Sequence, residues 1–465
     1  MNRPLSTHRN ASGGYVLIVV LIVCLGLVSL TLYFGHAMMM TYRGSETDLA
    51  GRQADRAIEG AVQYTSYLMS NIIASGSTGA STVSSTSGTA NSPYYLLPDP
   101  TTYQSEAVPL GDATFWFIGD PLQSGSATGG TSTGSVLSYG LVDEASKLNL
   151  NTATETMLET LPNMTTNLAQ AIVAWRKTSG TSSTTTTGTS ATNSSSMANA
   201  KGGPFESIYE LAQVASVDGD DPTILYGDDT NLNHVQDPNE SPGGQFNPGI
   251  FEYVTVFSRE PNTLPDGTKR INVTAATPAL ATLLSGTLGA TRGEAIARSI
   301  RGVTVHSVLE FYMRSGMTEA ELDQVTPYLT MSSNTYSVGL INVNTASEAV
   351  LECVPGITQQ FAQQIVSTRA TQATPSTNLA WIAQILGNAA AIQAGPYLTT
   401  QTYQVTADVA AVGRYGRGYR RTLFVIDGST GTPQIVYRHN MASLGLAIGS
   451  DALQKLAQTQ KATAQ

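Results

Sequence analysis

From Tyr15 to Phe34 the chain runs for twenty residues without a charged side chain. A helix of that length spans about 30 Å, one bilayer core. The pattern then changes without a turn signal. Ala54, Ala57, Ile58, Ala61, Leu68 and Ile72 fall on one helical stripe, with Arg52, Asp55, Arg56 and Glu59 opposite. The spacing predicts a single helix over 15–73: a transmembrane part (15–34), then an amphipathic part that packs on a folded body.

Further along, a unit recurs. Residues 147–177 read KLNLNTATETMLETLPNMTTNLAQAIVAWRK, and 340–370 read LINVNTASEAVLECVPGITQQFAQQIVSTRA. A degraded copy begins KRINVTAATPALATLL at 269–284. Asn149, Asn272 and Asn342 align, and Arg176 and Arg369 each lie 27 residues after their asparagine. Each full copy predicts a short extended segment and a capping box, from Thr152 to Glu155 or Thr345 to Glu348. A short helix then ends at Pro162 or Pro355, and a tight turn leads to a second helix. This is helix-hairpin-helix spacing. A further helix and strand are expected behind each copy: Phe205–Val214 and Tyr253–Phe257; Val305–Met313 and Tyr328–Met331; Leu379–Leu386 and Tyr403–Val412. The last strand leads through GRYGRG into Tyr419–Ile426, a β-hairpin.

Composition narrows the function classes. Charged residues make up 12% of the chain and the net charge is −10, which argues against wrapping nucleic acid. Two cysteines and five scattered histidines leave no disulfide framework and no Cys/His zinc site. Ser/Thr/Gly-rich stretches at 75–90, 124–135 and 178–200 read as mobile linkers; in the last, fifteen of 23 residues are Ser or Thr. Helix-hairpin-helix turns can present amides to a phosphate. The first hairpin, however, has Pro162-Asn163-Met164 without glycine, and only the third carries Pro-Gly-Ile. A small packing unit is the preferred reading. The one dense basic cluster, Arg414, Arg417, Arg420 and Arg421 with Tyr415 and Tyr419, reads as a solvated turn or a contact to an acidic partner. No Walker loop, GxSxG, HExxH or dinucleotide fingerprint occurs, so no enzyme activity is expected.

Residues 1–14 are polar, carry Arg3 and Arg9, and end in Gly13-Gly14 immediately before the apolar run. A simple signal anchor accounts for the segment alone. Together with the two-part helix, it resembles the type IV pilin and pseudopilin family. The resemblance implies cleavage by a prepilin peptidase between Gly14 and Tyr15, and methylation of the new amino terminus. Most pilins carry Glu at the fifth mature position. Here that position is Val19, and the run contains no acid. With the INVNTA-type repeats, the chain resembles the K-type minor pseudopilin of type II secretion. That family implies an α+β fold: a long N-terminal helix, then a pseudopilin body with inserted helix-hairpin-helix-like (SAM-like) modules. It implies a place in the inner membrane, single-pass, with the globular part in the periplasm. There the chain would cap a pseudopilus, help start its assembly with other minor pseudopilins and take part in export of secreted proteins. The alternative is a membrane-anchored helix-hairpin-helix DNA-uptake receptor.

The expected domains are the leader 1–14, the helix 15–73, a Ser/Thr linker 74–92, and an α+β body from 93–146 and 241–272. The modules are 147–214 (with a disordered insert 178–200), 273–339 and 340–400. Between them lies an acidic loop, 215–240. A C-terminal hairpin, 401–440, and a flexible tail, 441–465, close the chain. In the acidic loop, Asp229, Asn231, Asn233, Asp237 and Glu240 stand at positions 1, 3, 5, 9 and 12, and Val235 could add its carbonyl at position 7. This oxygen spacing predicts a structural calcium site. His234 stands where such loops favour glycine. An acidic solvated loop turning at Pro238 is the plainer reading.

Overall fold

The computed structural model describes residues 13–78, 95–120, 122, 138–177, 200–218, 223–235, 240, 247–264, 266–274, 277–372, 374–449, 452–456 and 458. Most of the three Ser/Thr linkers, most of the leader and Asp237 lie outside them.

Helix α1 (Gly13–Thr78) is continuous for 66 residues, five residues past the expected end. Three strands follow it: β1 (Val108–Leu110), β2 (Ala113–Ile118) and β3 (Val142–Asp143). The first repeat unit holds β4 (Leu148–Asn149), α2 (Glu155–Glu159), α3 (Thr166–Arg176), α4 (Leu211–Asp218) and β5 (Val254–Thr255). After β6 (Arg259–Pro261) comes the second, with β7 (Ile271–Asn272), α5 (Pro278–Leu288), α6 (Ala290–Ser299), α7 (Val308–Ser315), α8 (Glu319–Val325) and β8 (Leu329–Thr330). Strand β9 (Tyr336–Val338) leads to the third: β10 (Ile341–Asn342), α9 (Glu348–Glu352), α10 (Gln359–Ala370), α11 (Ala380–Ala394) and β11 (Leu398–Thr399). Strands β12 (Gln404–Val412), β13 (Arg420–Asp427) and β14 (Gln434–Asn440) end the sheet-forming part.

The main sheet runs β1-β2-β12-β13-β14, all antiparallel, with β3 pairing the start of β12. Its period-two pattern separates two apolar faces. Phe115, Phe117, Val405, Ala407, Val409, Ala411, Phe424 and Ile426 meet Ala54, Ala57, Ile58, Ala61, Val62 and Met69 of α1. Trp116, Ile118, Ala410 and Val412 face the other way, onto Ala447 and Ile448. Two glycines fit the helix to the turn after β12. A Cβ on Gly413 would stand 2.2 Å from the Ala50 carbonyl, and one on Gly418 2.3 Å from the Gly51 nitrogen. Ion pairs finish the seam: Glu46 with Arg417 (2.8 Å), Asp55 with Arg420 (3.3 Å) and Glu59 with Arg438 (3.1 Å). Before Ala50 the helix carries no buried residue over 15–49, and its apolar side chains there are exposed.

All three repeat units close in the same way. A two-residue parallel pair joins the Leu/Ile-Asn strand to a later strand ending in Thr: β4 with β5, β7 with β8, β10 with β11. The first helix starts six residues after the asparagine in each copy, the degraded one included. There α5 is longer, and Gly289 joins it directly to α6. The first and third units share one core, which Leu309 of the second also enters, while most of the second packs a core of its own that Ala380 joins.

Four expectations change. The helix caps are Thr154 and Ser347, two residues beyond Thr152 and Thr345, because Asn149 and Asn342 first close an Asx turn. Of the expected strand Tyr403–Val412, residues 404–412 form body strand β12, and β11 closes the third unit instead. The main sheet takes no strand from 241–272; the partners of β2 come from the C-terminal region. Residues 441–449 pack closely, with Met441, Ala447 and Ile448 buried.

Candidate functional site

The acidic loop lies on the sheet face opposite α1, above a bed of buried charge. Arg421 of β13 donates from Nε to Asp408 (3.0 Å) and from Nη1 to the Leu232 carbonyl (2.5 Å), so a sheet ion pair anchors the loop. Burial disfavours the Arg421 cation, but Asp408 outweighs it and holds the guanidinium protonated. His234 Nε2 lies 3.3 Å from Glu252. Burial alone would raise the Glu252 carboxyl; His234, Lys147 and Arg421 reverse that and hold it at about 2. Burial likewise opposes the His234 charge, and Glu252 prevails, raising its pKa.

Of the six proposed calcium positions, five are described. Asp229, Asn233 and Glu240 are buried. Glu240 Oε1 accepts the Thr230 amide (3.0 Å) and hydroxyl (2.8 Å), which ties the twelfth position to the first turn. Asp229 accepts the amides of Asn233 and His234, and Asn231 and Asn233 accept those of Asn233 and Val235. His234 has φ +59°, the left-handed conformation a sixth position requires. Among the described residues no three His, Cys, Asp or Glu side chains form a metal cluster. The set is two carboxylates and two amide oxygens, hard donors suited to a hard cation.

The aligned asparagines and arginines hold the repeat units together. Asn149 donates to Ser258, and Asn342 to Asp143 and Thr402, reaching past the closing strand. Arg176 donates to the carbonyls of Leu150 and Ala153, and Arg369 to those of Val343 and Ala346. Asn151 and Asn344 clamp the chain behind each second helix, at Phe205 and Ser376. The hairpin turns are held by neighbouring chain, with Gly356 half-buried and Asn163 exposed. A Cβ on Gly356 (φ +88°) would stand 2.8 Å from the Ala390 carbonyl, and Asn163 (φ +62°) fills the same role while donating to Asn247. Thr165 and Thr358 cap the second helices, taking amides that a phosphate would need. The basic turn is likewise engaged, with α1 as the acidic partner of Arg417 and Arg420.

One hub escaped the sequence reading. Asp143 is fully buried; its Oδ2 accepts from Asn342 (2.8 Å), Thr345 (2.7 Å) and Thr402 (2.8 Å). Glu144 accepts from Thr255 and Thr406. These two acids join the body to the first and third units. The adjacent acids in VDEASKLNLN were the available signal.

A family model described as helix-hairpin-helix motif matches residues 143–185 and 337–377. No curated protein matches the chain. Among solved structures, the crystal structure of the GspK-GspI-GspJ complex from the enterotoxigenic Escherichia coli type 2 secretion system is similar. Identity is 11% and the TM-score 0.25, over 83% of this chain and 97% of that one.

Proposed function

We propose that this chain is a membrane-anchored, pilin-like subunit: a minor pseudopilin that caps a short periplasmic filament and helps start its assembly. One observation carries the reading. A single unbroken helix is bare and apolar over its first part and forms the core of an antiparallel sheet with its second. The Gly13-Gly14 leader and the absence of an acid at Val19 support the same role. A body of this bulk suits a filament end, where no subunit stacks above it. Prepilin peptidase, the inner membrane, other minor pseudopilins and exported proteins are the partners this role entails. The helix-hairpin-helix match would favour a DNA receptor, but the Thr165 and Thr358 caps, the close approach of Gly356 to Ala390 and the net charge of −10 favour structural units.

The test is the mature amino terminus. Mass spectrometry of membrane-extracted protein should find Tyr15 first, and Gly14→Val should leave the leader attached. A mature chain starting at Met1 beside an active peptidase overturns the proposal.

Calcium belongs to the same proposal. Asp229, Asn231, Asn233, the Val235 carbonyl, Asp237 and Glu240 would hold it, and the ion would lock the loop against Arg421. The unfolding midpoint should rise with calcium over chelator. Asp229→Ala with Glu240→Ala should abolish the difference; coincident midpoints in the parent chain overturn the site.

A further inference from the structure

The turn between β12 and β13 has a second side that the ion pairs with α1 leave open. Gly413 and Gly418 wrap it around the helix at Ala50–Gly51, and Tyr415 takes φ +58°. The Arg414 guanidinium stacks 4.8 Å from the Tyr415 ring. Along the helix, Tyr42 lies within electrostatic reach of Glu46, Arg414 and Tyr415. Arg43 is exposed beside it. Among the described residues neither Arg43 nor Arg414 pairs with a carboxylate, whereas Arg417 is paired with Glu46. The patch thus presents two tyrosines and two uncompensated cations on a protein whose net charge is −10.

Its height along the helix identifies the partner. From Tyr15, the first residue after the proposed cleavage, to Tyr42 the chain has no Asp, Glu, Lys or Arg, 28 residues. At 1.5 Å each that is about 42 Å, roughly 12 Å more than a hydrocarbon core. Centred in the bilayer, the stretch leaves Tyr42 about 6 Å beyond the hydrocarbon edge, at headgroup level. Tyrosines with one apolar and one polar end partition to that level, and arginines there pair with lipid phosphates. We infer that the Arg414–Tyr415 turn, with Tyr42 and Arg43, is an interfacial foot that rests on anionic phospholipid headgroups and fixes the body's height over the membrane. The inference rests on the membrane-anchored reading above.

The test uses the full chain in nanodiscs, with and without phosphatidylglycerol, carrying lipids brominated high on the acyl chains. Two variants each add one tryptophan, Tyr415→Trp at the foot and Leu25→Trp in the apolar run, with the parent chain as background. The added emission of Tyr415→Trp should be quenched at least twofold more strongly in anionic than in neutral bilayers. Arg43→Gln with Arg414→Gln should remove that difference. Quenching of Leu25→Trp alone keeps the anchor and overturns the foot, as expected if the turn instead meets an acidic protein. Equal quenching at Tyr415→Trp in both bilayers also overturns it. With neither probe quenched, the anchor and the foot fall together.

Discussion

Glu252 and His234 show how single residues set the pH range of the acidic loop. The Glu252 carboxyl is held at about 2, below its usual 4.5, so its stabilisation is complete above pH 4.5 and is lost as pH falls toward 2. The shift corresponds to roughly 3 kcal/mol for this buried group. His234 is raised above 6.5, so its stabilisation is complete below 6.5 and is lost as pH rises through the raised value. The pair therefore favours folding most between about pH 4.5 and 6.5. Chemical denaturation across pH, in chelator, should show a flatter acid limb for Glu252→Gln and lower stability near pH 6. An unchanged acid limb would mean that the pair is not formed.

At the level of elements, the fit of α1 to the sheet depends on backbone contact as well as on side chains. The Gly413 contact meets the Ala50 carbonyl, which cannot swing aside as a side chain can. Gly413→Val should lower stability by roughly 3 kcal/mol and expose α1 near Ala50 to limited proteolysis. Gly203→Ala, where a Cβ meets nothing within 4 Å, should leave both unchanged. Most of this architecture was legible in the sequence. The stripe from Ala54 to Ile72 gave the buried face of α1, with Leu68 only half-buried at its flank. The Asn and Arg spacings marked the repeat units. Two-residue closing strands such as β11 carry too little pattern to announce themselves, so the helix caps and the third closure were displaced. The main sheet pairs β2 with β12, almost three hundred residues later, and no local signal specifies that pairing. In the site, the oxygen spacing from Asp229 was readable. The Arg421–Asp408 pair beneath it was not: Arg421 was read with the solvated basic turn, whereas it is buried in β13 against Asp408, which lies inside ordinary strand pattern.

For the molecule as a whole, cohesion between body and repeat units passes through Asp143. Burial raises its carboxyl to about 6, partly offset by the hydroxyls of Thr345 and Thr402. Asp143→Ala would leave the donors of Asn342, Thr345 and Thr402 without their shared acceptor, at a cost of about 1–3 kcal/mol. Calorimetry of the full chain should then show the third unit melting apart from the sheet, where the parent melts as one. A single transition, merely shifted, would locate the cohesion elsewhere. The second unit is attached differently. Strands β6 and β9 pair antiparallel, and Asn262 donates its amide to Thr335, so a two-stranded stem carries the stretch between, which also seats Leu309 of α7 in the shared core and Asp323 of α8 against Thr377 and Asn378. The chain leaves and rejoins the stem at neighbouring points. Length changes confined to α5 and α6, whose buried side chains lie in the second unit's own core, would leave the register on either side untouched. That is also the part of the middle copy that departs furthest from the shared motif, with Gly289 joining the two helices directly.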